Sequence, residues 1–322
     1  MAITTQRVSE RRASRYFRMR DLELLTALSR CGSMAKAAQE LSISQPAVSK
    51  AIADLEASLG VKLLERDFAG ARLTVYGEVL SRSAHLTLNE LGQCLRDLNA
   101  LADPELGEVR IGAPEPVTAG LVGAAVVNFT RRYPRAFVEV ISASTSTGIF
   151  TKLRERAVDL MVGRIPKDLA ADDLAVEVLF TERRFVVCGA SSRWARQRKI
   201  ELAQLTEAPW VVSTHGEAQT ELRIVFENNA LEVPRARVIA NSPQLRQRLL
   251  GSGDYLTLLT TPSINALESD HFRLKRLSID LSVLNSPLAI VTLRHRVLSP
   301  VVGRFIECLR PVAAALERKF SS

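Results

Sequence analysis

The spacing of the apolar residues changes near Pro104, and this change divides the chain into two parts. Within residues 19–101 the apolar residues recur three and four positions apart, which is the spacing of one face of a helix. From Gly107 onward, short apolar runs such as residues 109–112 alternate with amphipathic stretches such as residues 118–132. Strands that alternate with helices form parallel sheets with right-handed crossovers. The sequence therefore predicts a mainly helical N-terminal part and an α/β C-terminal part, and its 322 residues suit two or three domains.

Two short helices joined by a tight turn are predicted in the N-terminal part. Ser33 is placed to cap a helix over residues 34–41, and Ser44 is placed to cap the next one. Pro46 falls in the first turn of that next helix, where its missing N–H costs little. The residues of this helix that repeat four, three and four positions apart form one apolar face: Val48, Ile52, Leu55 and Leu59. The pattern predicts a helix-turn-helix at about residues 33–52.

The side of this helix away from its apolar face carries side chains suited to DNA. Gln45 and Ser49 can pair with base edges in the major groove, and Lys50 can reach phosphate or guanine. A polar hairpin is predicted after the helix, and its Arg66 and Arg72 can contact phosphate. The alternative is a small three-helix domain whose helices happen to be capped by serine, and the spacing alone leaves both interpretations open.

Basic charge is concentrated near the N-terminus. Residues 1–76 hold 12 Lys and Arg against 8 Asp and Glu, so they carry half of the net charge of +8. This suits a phosphate-bearing partner, although a solvated basic face would have the same composition. Residues 1–18 are polar and rich in arginine and are predicted to form a loose basic tail.

The run from Ser33 to Arg66 resembles the DNA-binding domain of LysR-type transcriptional regulators. The matching positions are Ser33, Ala37, Ala38, Leu41, Ser44, Gln45, Pro46, Ala47, Val48, Ser49, Ile52, Leu55, Glu56, Leu59, Gly60, Leu63 and Arg66. Leu64 and Tyr76 stand where the family usually has Phe and Ala, respectively. Both differences are interpreted as changes in packing. The resemblance implies a winged helix-turn-helix domain over residues 19–76 that binds double-stranded promoter DNA. The candidate DNA-binding residues are Ser33, Ser44, Gln45, Pro46, Ser49, Lys50, Arg66 and Arg72.

A long helix with leucines at heptad spacing is predicted next, over residues 77–101. Its narrow apolar seam includes Leu88, Leu91, Leu95 and Leu98. Such a helix needs a packing partner, either in its own domain or in a second chain. The resemblance implies the second chain: residues 77–103 would form a linker helix that pairs two DNA-binding domains, in a homodimer or in a homotetramer built as a dimer of dimers.

Residues 107–322 also resemble the family, though less closely. Residues 107–113 match the start of its effector domain, and residues 158–160 and 209–210 match later segments. The implied fold class is α/β, with an N-terminal winged helix-turn-helix domain, a long linker helix and a two-lobed periplasmic-binding-protein-like (type 2) α/β effector domain. Two hinge strands would cross between the lobes, with a ligand cleft between them. Arg156 stands where many relatives have glycine, which predicts a different helix end there.

Hydroxyl-rich segments follow several of the predicted strands. In open α/β sheets, ligands bind beyond the carboxyl ends of the strands, where helix N-termini present N–H groups. The candidate effector-binding residues at these places are Pro116, Val117, Thr118, Thr145, Ser146, Ser213 and Thr214. Any single hydroxyl is explained at least as well by helix capping, but their position on both lobes favours a small-molecule effector. Helix N-termini favour a small carboxylate, and Glu115 argues against a polyanion.

Catalytic, metal and membrane functions are not predicted. The sequence has no G-x-G-x-x-G, P-loop, H-E-x-x-H or G-x-S-x-G motif, so neither an enzyme nor a cofactor is expected. Its four histidines lie far apart, and its four cysteines are expected to be buried free thiols rather than metal ligands. No apolar stretch is long enough to span a bilayer and no signal-peptide core is present, so a cytoplasmic protein is expected.

Two further interpretations stay open from the sequence. A DNA-binding protein indifferent to ligand would have the same N-terminal part, and a solute-binding module would share the α/β fold. The second would need a secretory signal and no helix-turn-helix, and this sequence has the reverse. The resemblance also makes RNA polymerase a candidate partner.

Overall fold

The computed structural model describes residues 17–67, 70–102, 107–143, 146–166, 172–213, 217–268 and 272–321. Its first elements are helices and one hairpin, and its later elements are two sheets with helices. The predicted change from a helical to an α/β architecture is therefore confirmed. The chain divides into two compact units, the first ending at Arg96 and the second beginning at Asp97.

In the described part of the first unit there are three short helices, a hairpin and most of a long helix. In chain order these are α1 (Met19–Cys31), α2 (Met34–Glu40), α3 (Gln45–Leu59), β1 (Leu64–Asp67), β2 (Gly70–Leu73) and α4 (Val75–Ala102). Gly32 and Gly60 end α1 and α3 with φ of 61° and 73°, a left-handed conformation that glycine adopts at little cost. The predicted apolar face of α3 is buried in the core.

The long helix begins two residues earlier than predicted because Thr74 caps it. The Thr74 Oγ1 donates to the Lys62 carbonyl at 2.7 Å and accepts from the N–H of Gly77 at 3.1 Å. A Cβ on Gly77 would lie 2.2 Å from the carbonyl oxygen of Leu63. Only glycine therefore allows α4 to approach the hairpin this closely.

The second unit contains two five-stranded sheets. The strands are β3 (Glu108–Pro114), β4 (Phe137–Ala143), β5 (Leu160–Arg164), β6 (Leu174–Glu182), β7 (Arg184–Gly189), β8 (Trp210–Val212), β9 (Ala236–Ile239), β10 (Leu256–Thr260), β11 (Leu274–Arg276) and β12 (Ser286–Leu293). The first sheet has the order β4-β3-β5-β12-β6 and the second has the order β11-β7-β10-β8-β9. The longer helices are α5 (Gly123–Arg132), α6 (Ser146–Arg154), α7 (Glu217–Glu227), α8 (Pro243–Gly251), α9 (Thr261–Leu267) and α10 (Pro300–Ser321).

Both sheets are mixed: each contains the predicted parallel pairs together with antiparallel ones. The strands β3, β4 and β5 run parallel, as do β8, β9 and β10. The strands β6 and β12 are antiparallel to each other, β12 is antiparallel to β5, and β7 is antiparallel to both β10 and β11. The chain leaves the first sheet through β6, enters the second through β7 one residue later, and returns to the first through β12. The antiparallel pairs thus arise where the chain crosses between two lobes, each built on one sheet.

A buried ionic cluster joins the lobes at this crossing. Arg184, at the start of β7, donates from Nη1 to Glu182 at 2.6 Å and from Nε to Glu221 of α7 at 3.0 Å. Arg164, at the end of β5, donates from Nη1 to the same Glu221 oxygen at 3.0 Å and from Nε to Ser286 at 2.6 Å. Burial alone would lower the pKa of Arg184, but the two carboxylates outweigh it and raise that pKa. Glu221 therefore links a strand of the first sheet to a helix of the second lobe.

A close backbone approach provides a second contact between the lobes. The helix α9 follows β10 of the second sheet and packs on the π-helical turn Thr118–Val122 of the first lobe. A Cβ on Gly120 would lie 1.9 Å from the Pro262 carbonyl oxygen, and Asn265 Nδ2 donates to the Gly120 carbonyl at 3.0 Å. The absence of a side chain at Gly120 is what permits this contact.

Replacing Glu221 by Gln should destabilise the protein strongly. The change leaves Arg164 and Arg184 with less compensating negative charge in a buried site, which costs about 3–5 kcal/mol of unfolding free energy. Urea denaturation followed by tryptophan fluorescence would measure it. The control is Glu227→Gln on the same helix, where a partly exposed pair with Arg223 at 3.8 Å predicts a loss below about 1 kcal/mol. Equal losses for the two variants would contradict a special role for the buried cluster.

Candidate DNA interface and effector cleft

The start of α3 presents the predicted DNA-contacting residues at the surface. Gln45, Pro46 and Lys50 are exposed, and Ser49 is half-buried. Their orientation follows from Val48, which is fully buried and fixes the opposite side of the helix in the core. The amide and the ammonium group are thus available to an incoming duplex.

The two predicted serine caps differ. Ser44 Oγ accepts the N–H of Ala47 at 3.3 Å, as predicted. Ser33 occupies the N-cap position of α2, but its side chain accepts no hydrogen bond from the helix, so the predicted capping bond is wrong. The backbone carbonyl of Ser33 accepts the N–H of Ala37 at 3.0 Å instead, so backbone geometry alone starts α2.

A groove of about 640 Å³ runs between the start of α1 and α3, and Lys50 lies along it. Its charged lining residues are of both signs: Arg18, Arg20, Lys50, Asp21, Glu23 and Asp54. Because these charges offset one another, the groove itself is not an anion-binding surface. Lys50 therefore borders both this mixed groove and the exposed face that carries Gln45.

Glu56 holds the hairpin against α3, a role that the sequence analysis did not assign. Its carboxylate accepts from Lys62 Nζ at 2.5 Å and from the N–H groups of Leu63 and Leu64 at 2.8 and 3.2 Å. Burial opposes the charged form, but these hydrogen bonds outweigh it and keep the pKa of Glu56 below its ordinary value. The sequence feature that could have indicated this role of Glu56 is its place directly after Leu55, a residue of the apolar face of α3.

The hairpin carries both predicted wing arginines. Arg66 lies in β1 opposite Ala71, and Arg72 lies in β2 opposite Glu65. Arg72 is exposed. Since Glu56 fixes the first strand to α3, the exposed guanidinium of Arg72 is held in a defined position relative to the start of that helix.

The predicted apolar seam of α4 is largely exposed within this chain. Leu88 is half-buried, while Leu91, Leu95 and Leu98 expose 40%, 54% and 56% of their surface. Ala84, at the start of the seam, is fully buried and packs in the core of the first unit. The seam thus begins inside its own domain and continues as an exposed leucine row.

The four cysteines differ in their exposure. Cys188 and Cys308 are buried, but Cys31 is half-buried and Cys94 is exposed, so the expectation of four buried thiols is wrong for these two. Cys94 lies on the same stretch of α4 as the exposed leucines, where little covers the helix. Over the described residues, no three His, Cys, Asp or Glu side chains are grouped as metal ligands, and no helix is long and apolar enough to cross a membrane.

On the first lobe, Thr118 connects the ends of two parallel strands. Its Oγ1 lies 3.2 Å from the Oγ of Ser142 in β4 and 3.4 Å from the Ala113 carbonyl in β3. Thr118 does not start a helix as predicted, because helical turns already begin at Glu115 and Thr118 opens the π-helical turn within them. The extra residue of a π turn is frequent at functional sites.

The other first-lobe candidates are less directly placed. Pro116 is half-buried, and the Val117 side chain is buried in the core of the first lobe, so only its backbone could meet a ligand. Ser146 begins α6. Thr145 lies outside the described residues, as does Thr214 of the second lobe.

On the second lobe, Ser213 follows β8 directly and is half-buried. Its Oγ donates to Asn241 Oδ1 at 3.3 Å, and Asn241 follows the neighbouring parallel strand β9. Ser242 caps α8 by accepting the N–H of Leu245 at 3.2 Å. Both lobes therefore carry polar side chains at the carboxyl edges of neighbouring parallel strands, the place where open α/β sheets bind ligands.

Comparisons with known proteins cover both units. Residues 19–78 match the family model described as bacterial regulatory helix-turn-helix protein, lysR family, and residues 102–314 match the LysR substrate binding domain. The HTH-type transcriptional regulator GbpR of Azospirillum brasilense is 27% identical over 310 residues, 94% of this chain and 88% of that protein. The regulator TdcA of Escherichia coli strain K12 is 29% identical over 245 residues, 76% of this chain and 77% of that protein.

A solved structure shares the fold over most of this chain. Full-length CbnR complexed with its target DNA superposes with a TM-score of 0.68 at 21% identity, covering 92% of this chain and 100% of that one. At this identity the likeness establishes the fold. Because the two family models together match the helix-turn-helix and well over half of the sequence, this chain belongs to the LysR family of transcriptional regulators.

Proposed function

We propose that this protein is a sequence-specific DNA-binding transcriptional regulator that is switched by a small carboxylate bound between its two lobes. One observation carries the proposal: a helix-turn-helix with an exposed Gln45 and Lys50 occurs in the same chain as a two-lobed α/β domain with polar edges on both lobes. A ligand-indifferent DNA-binding protein would not need the second domain.

The DNA-binding surface is proposed to consist of the start of α3, the caps of the two helices and the wing. Gln45 would read a base edge, Lys50 would contact phosphate or a base, and Arg72 would contact phosphate. The remaining proposed contacts are Ser33, Ser44, Pro46, Ser49 and Arg66. The complex of CbnR with its target DNA is consistent with such use of this fold.

The effector is proposed to change the arrangement of the lobes. A ligand shifts such an equilibrium only if it binds one arrangement better than the other. The lobes are joined through the crossing strands, the Glu221 cluster and the contact of α9 with Gly120, so a ligand that spans both edges acts on these same contacts. The proposed effector-binding residues are Pro116, Val117, Thr118, Thr145, Ser146, Ser213 and Thr214.

The assembly is proposed to be a homodimer or a dimer of dimers that works in the cytoplasm, where promoter DNA and RNA polymerase are found. The exposed row Leu91, Leu95 and Leu98 on a helix of 28 residues would pack against a second chain. A role as an enzyme is not proposed, since regulation accounts for both domains.

Replacing Gln45 by Ala should weaken binding at one base position of the operator. Loss of the amide contact costs about 1–3 kcal/mol and relaxes the base preference there. Fluorescence anisotropy with an operator and its single-base variants would measure both effects. The control is Gln39→Ala, which removes an exposed amide from α2. Unchanged affinity and base preference in Gln45→Ala would contradict base reading by this residue.

Replacing Arg72 by Gln should weaken binding to all sequences alike. Losing one phosphate contact should reduce the slope of log K against log salt concentration by about 1. Titrations at several salt concentrations would give this slope. Arg82→Gln, an exposed arginine on α4, serves as the control. A slope equal to that of the unmodified protein would place Arg72 away from the DNA.

Replacing Leu91 by Asp should dissociate the oligomer. The change would bury an unpaired charge in an apolar interface, which is strongly unfavourable. Sedimentation velocity would report the mass, and circular dichroism would verify that the helices persist. Ser83→Asp adds the same charge to an exposed position of the same helix and should leave the oligomer intact. An unchanged mass for Leu91→Asp would mean that the seam does not form the interface.

A further inference from the structure

Arg246 is a partly buried cation of the second lobe. It lies one turn into α8, whose N-cap Ser242 follows the carboxyl end of β9. The Nε of Arg246 is buried without a hydrogen-bond partner among the described residues. Burying a charged or polar group without such a partner is costly, so proteins seldom retain one without a use.

Glu115 supplies the opposing charge from the other lobe. It directly follows β3 of the first sheet, and its side chain is exposed. Burial lowers the pKa of Arg246 from its ordinary value, and the carboxylate of Glu115 offsets only part of that effect. The two side chains belong to different lobes and their charges attract each other, but no hydrogen bond joins them among the described residues.

Hydrogen-bonding groups occur on both sides of this pair of charges. Thr118 and Ser142 lie at the edge of the first lobe next to Glu115, and Ser213 and Asn241 lie at the edge of the second lobe before α8. Among the described residues, this region therefore combines the cation of Arg246 and the anion of Glu115 with hydroxyl and amide groups on both lobes.

We propose that Arg246 binds the carboxylate of the effector and that Glu115 restricts the cleft to acids with one negative charge and hydroxyl groups. A guanidinium binds a carboxylate through two parallel hydrogen bonds, and a ligand carboxylate would compensate the positive charge of the partly buried Arg246. A second carboxylate on the ligand would meet the charge of Glu115, whereas a ligand hydroxyl can donate to it. This inference rests on the proposed effector function of the cleft.

Calorimetry on the full-length protein without DNA tests the proposal. The probes are sodium lactate, glycerate and gluconate, with glycerol and glucose as neutral comparators and glucarate as the doubly charged one. We expect at least one monocarboxylate to bind and the comparators to bind much more weakly. Arg246→Gln should weaken that binding about tenfold or more. Arg248→Gln, an exposed arginine on the same helix, should leave it unchanged.

Glu115→Gln separates selection by charge from a merely structural ion pair. Removing the opposing charge should strengthen binding of the monocarboxylate and allow glucarate to bind. If Glu115→Gln weakens binding as Arg246→Gln does, the pair is structural and the proposal is overturned. Undiminished binding by Arg246→Gln, or no binding of any probe acid to the unmodified protein, overturns it as well.

The same experiment distinguishes this inference from the proposed function. Operator binding is measured separately, by anisotropy and without added acid, and all three variants should retain it. An unmodified protein that binds the acid but no DNA would contradict regulation by DNA binding and leave the role of Arg246 standing. A protein that binds DNA but none of the acids would overturn the inference and leave regulation by DNA binding standing.

Discussion

The Glu221 carboxylate is shared by two arginines, and the two-lobed domain depends on this sharing. Arg164 comes from the first sheet and Arg184 from the start of the second, so one side chain of α7 fixes both. In a buried site, the attraction between opposite charges compensates for their lost hydration only when each charged group also makes good hydrogen bonds, as these groups do. Because this cluster lies where the chain crosses between the sheets, any rearrangement of the lobes must preserve these bonds or exchange them.

A comparable arrangement orders the DNA-binding unit. Glu56 bonds the start of the hairpin, and Thr74 and Gly77 bring the long helix against the same segment. Each of these contacts joins elements that are close in sequence. The exposed start of α3 and Arg72 are thereby held in fixed relation, which suits recognition of a rigid duplex.

The sequence could predict most of the helices and the candidate DNA surface, since apolar spacing, glycine stops and serine caps act locally. The positions of α1, α3 and α10 follow from these signals. The strand β6 was missed because it is an edge strand with charged residues among its apolar ones, and the short β11 because three residues carry little pattern. The different helix end that the resemblance predicts at Arg156 is not seen, because Arg156 adopts φ of 58°, the left-handed conformation that glycine favours.

The sequence by itself determined the two-part architecture and the exposed and buried faces of α3, because these depend on apolar spacing along short segments, and it contained the motif by which the chain resembles its family. Only the tertiary structure decided how distant polar residues combine. Thr118 meets Ser142, Ser213 meets Asn241, and the charges of Glu115 and Arg246 come from opposite lobes. Periodicity tells which face of an element is buried. The pairing of charged side chains depends instead on which elements the two sheets bring together. Those neighbours are fixed only once the chain has crossed between the lobes and returned.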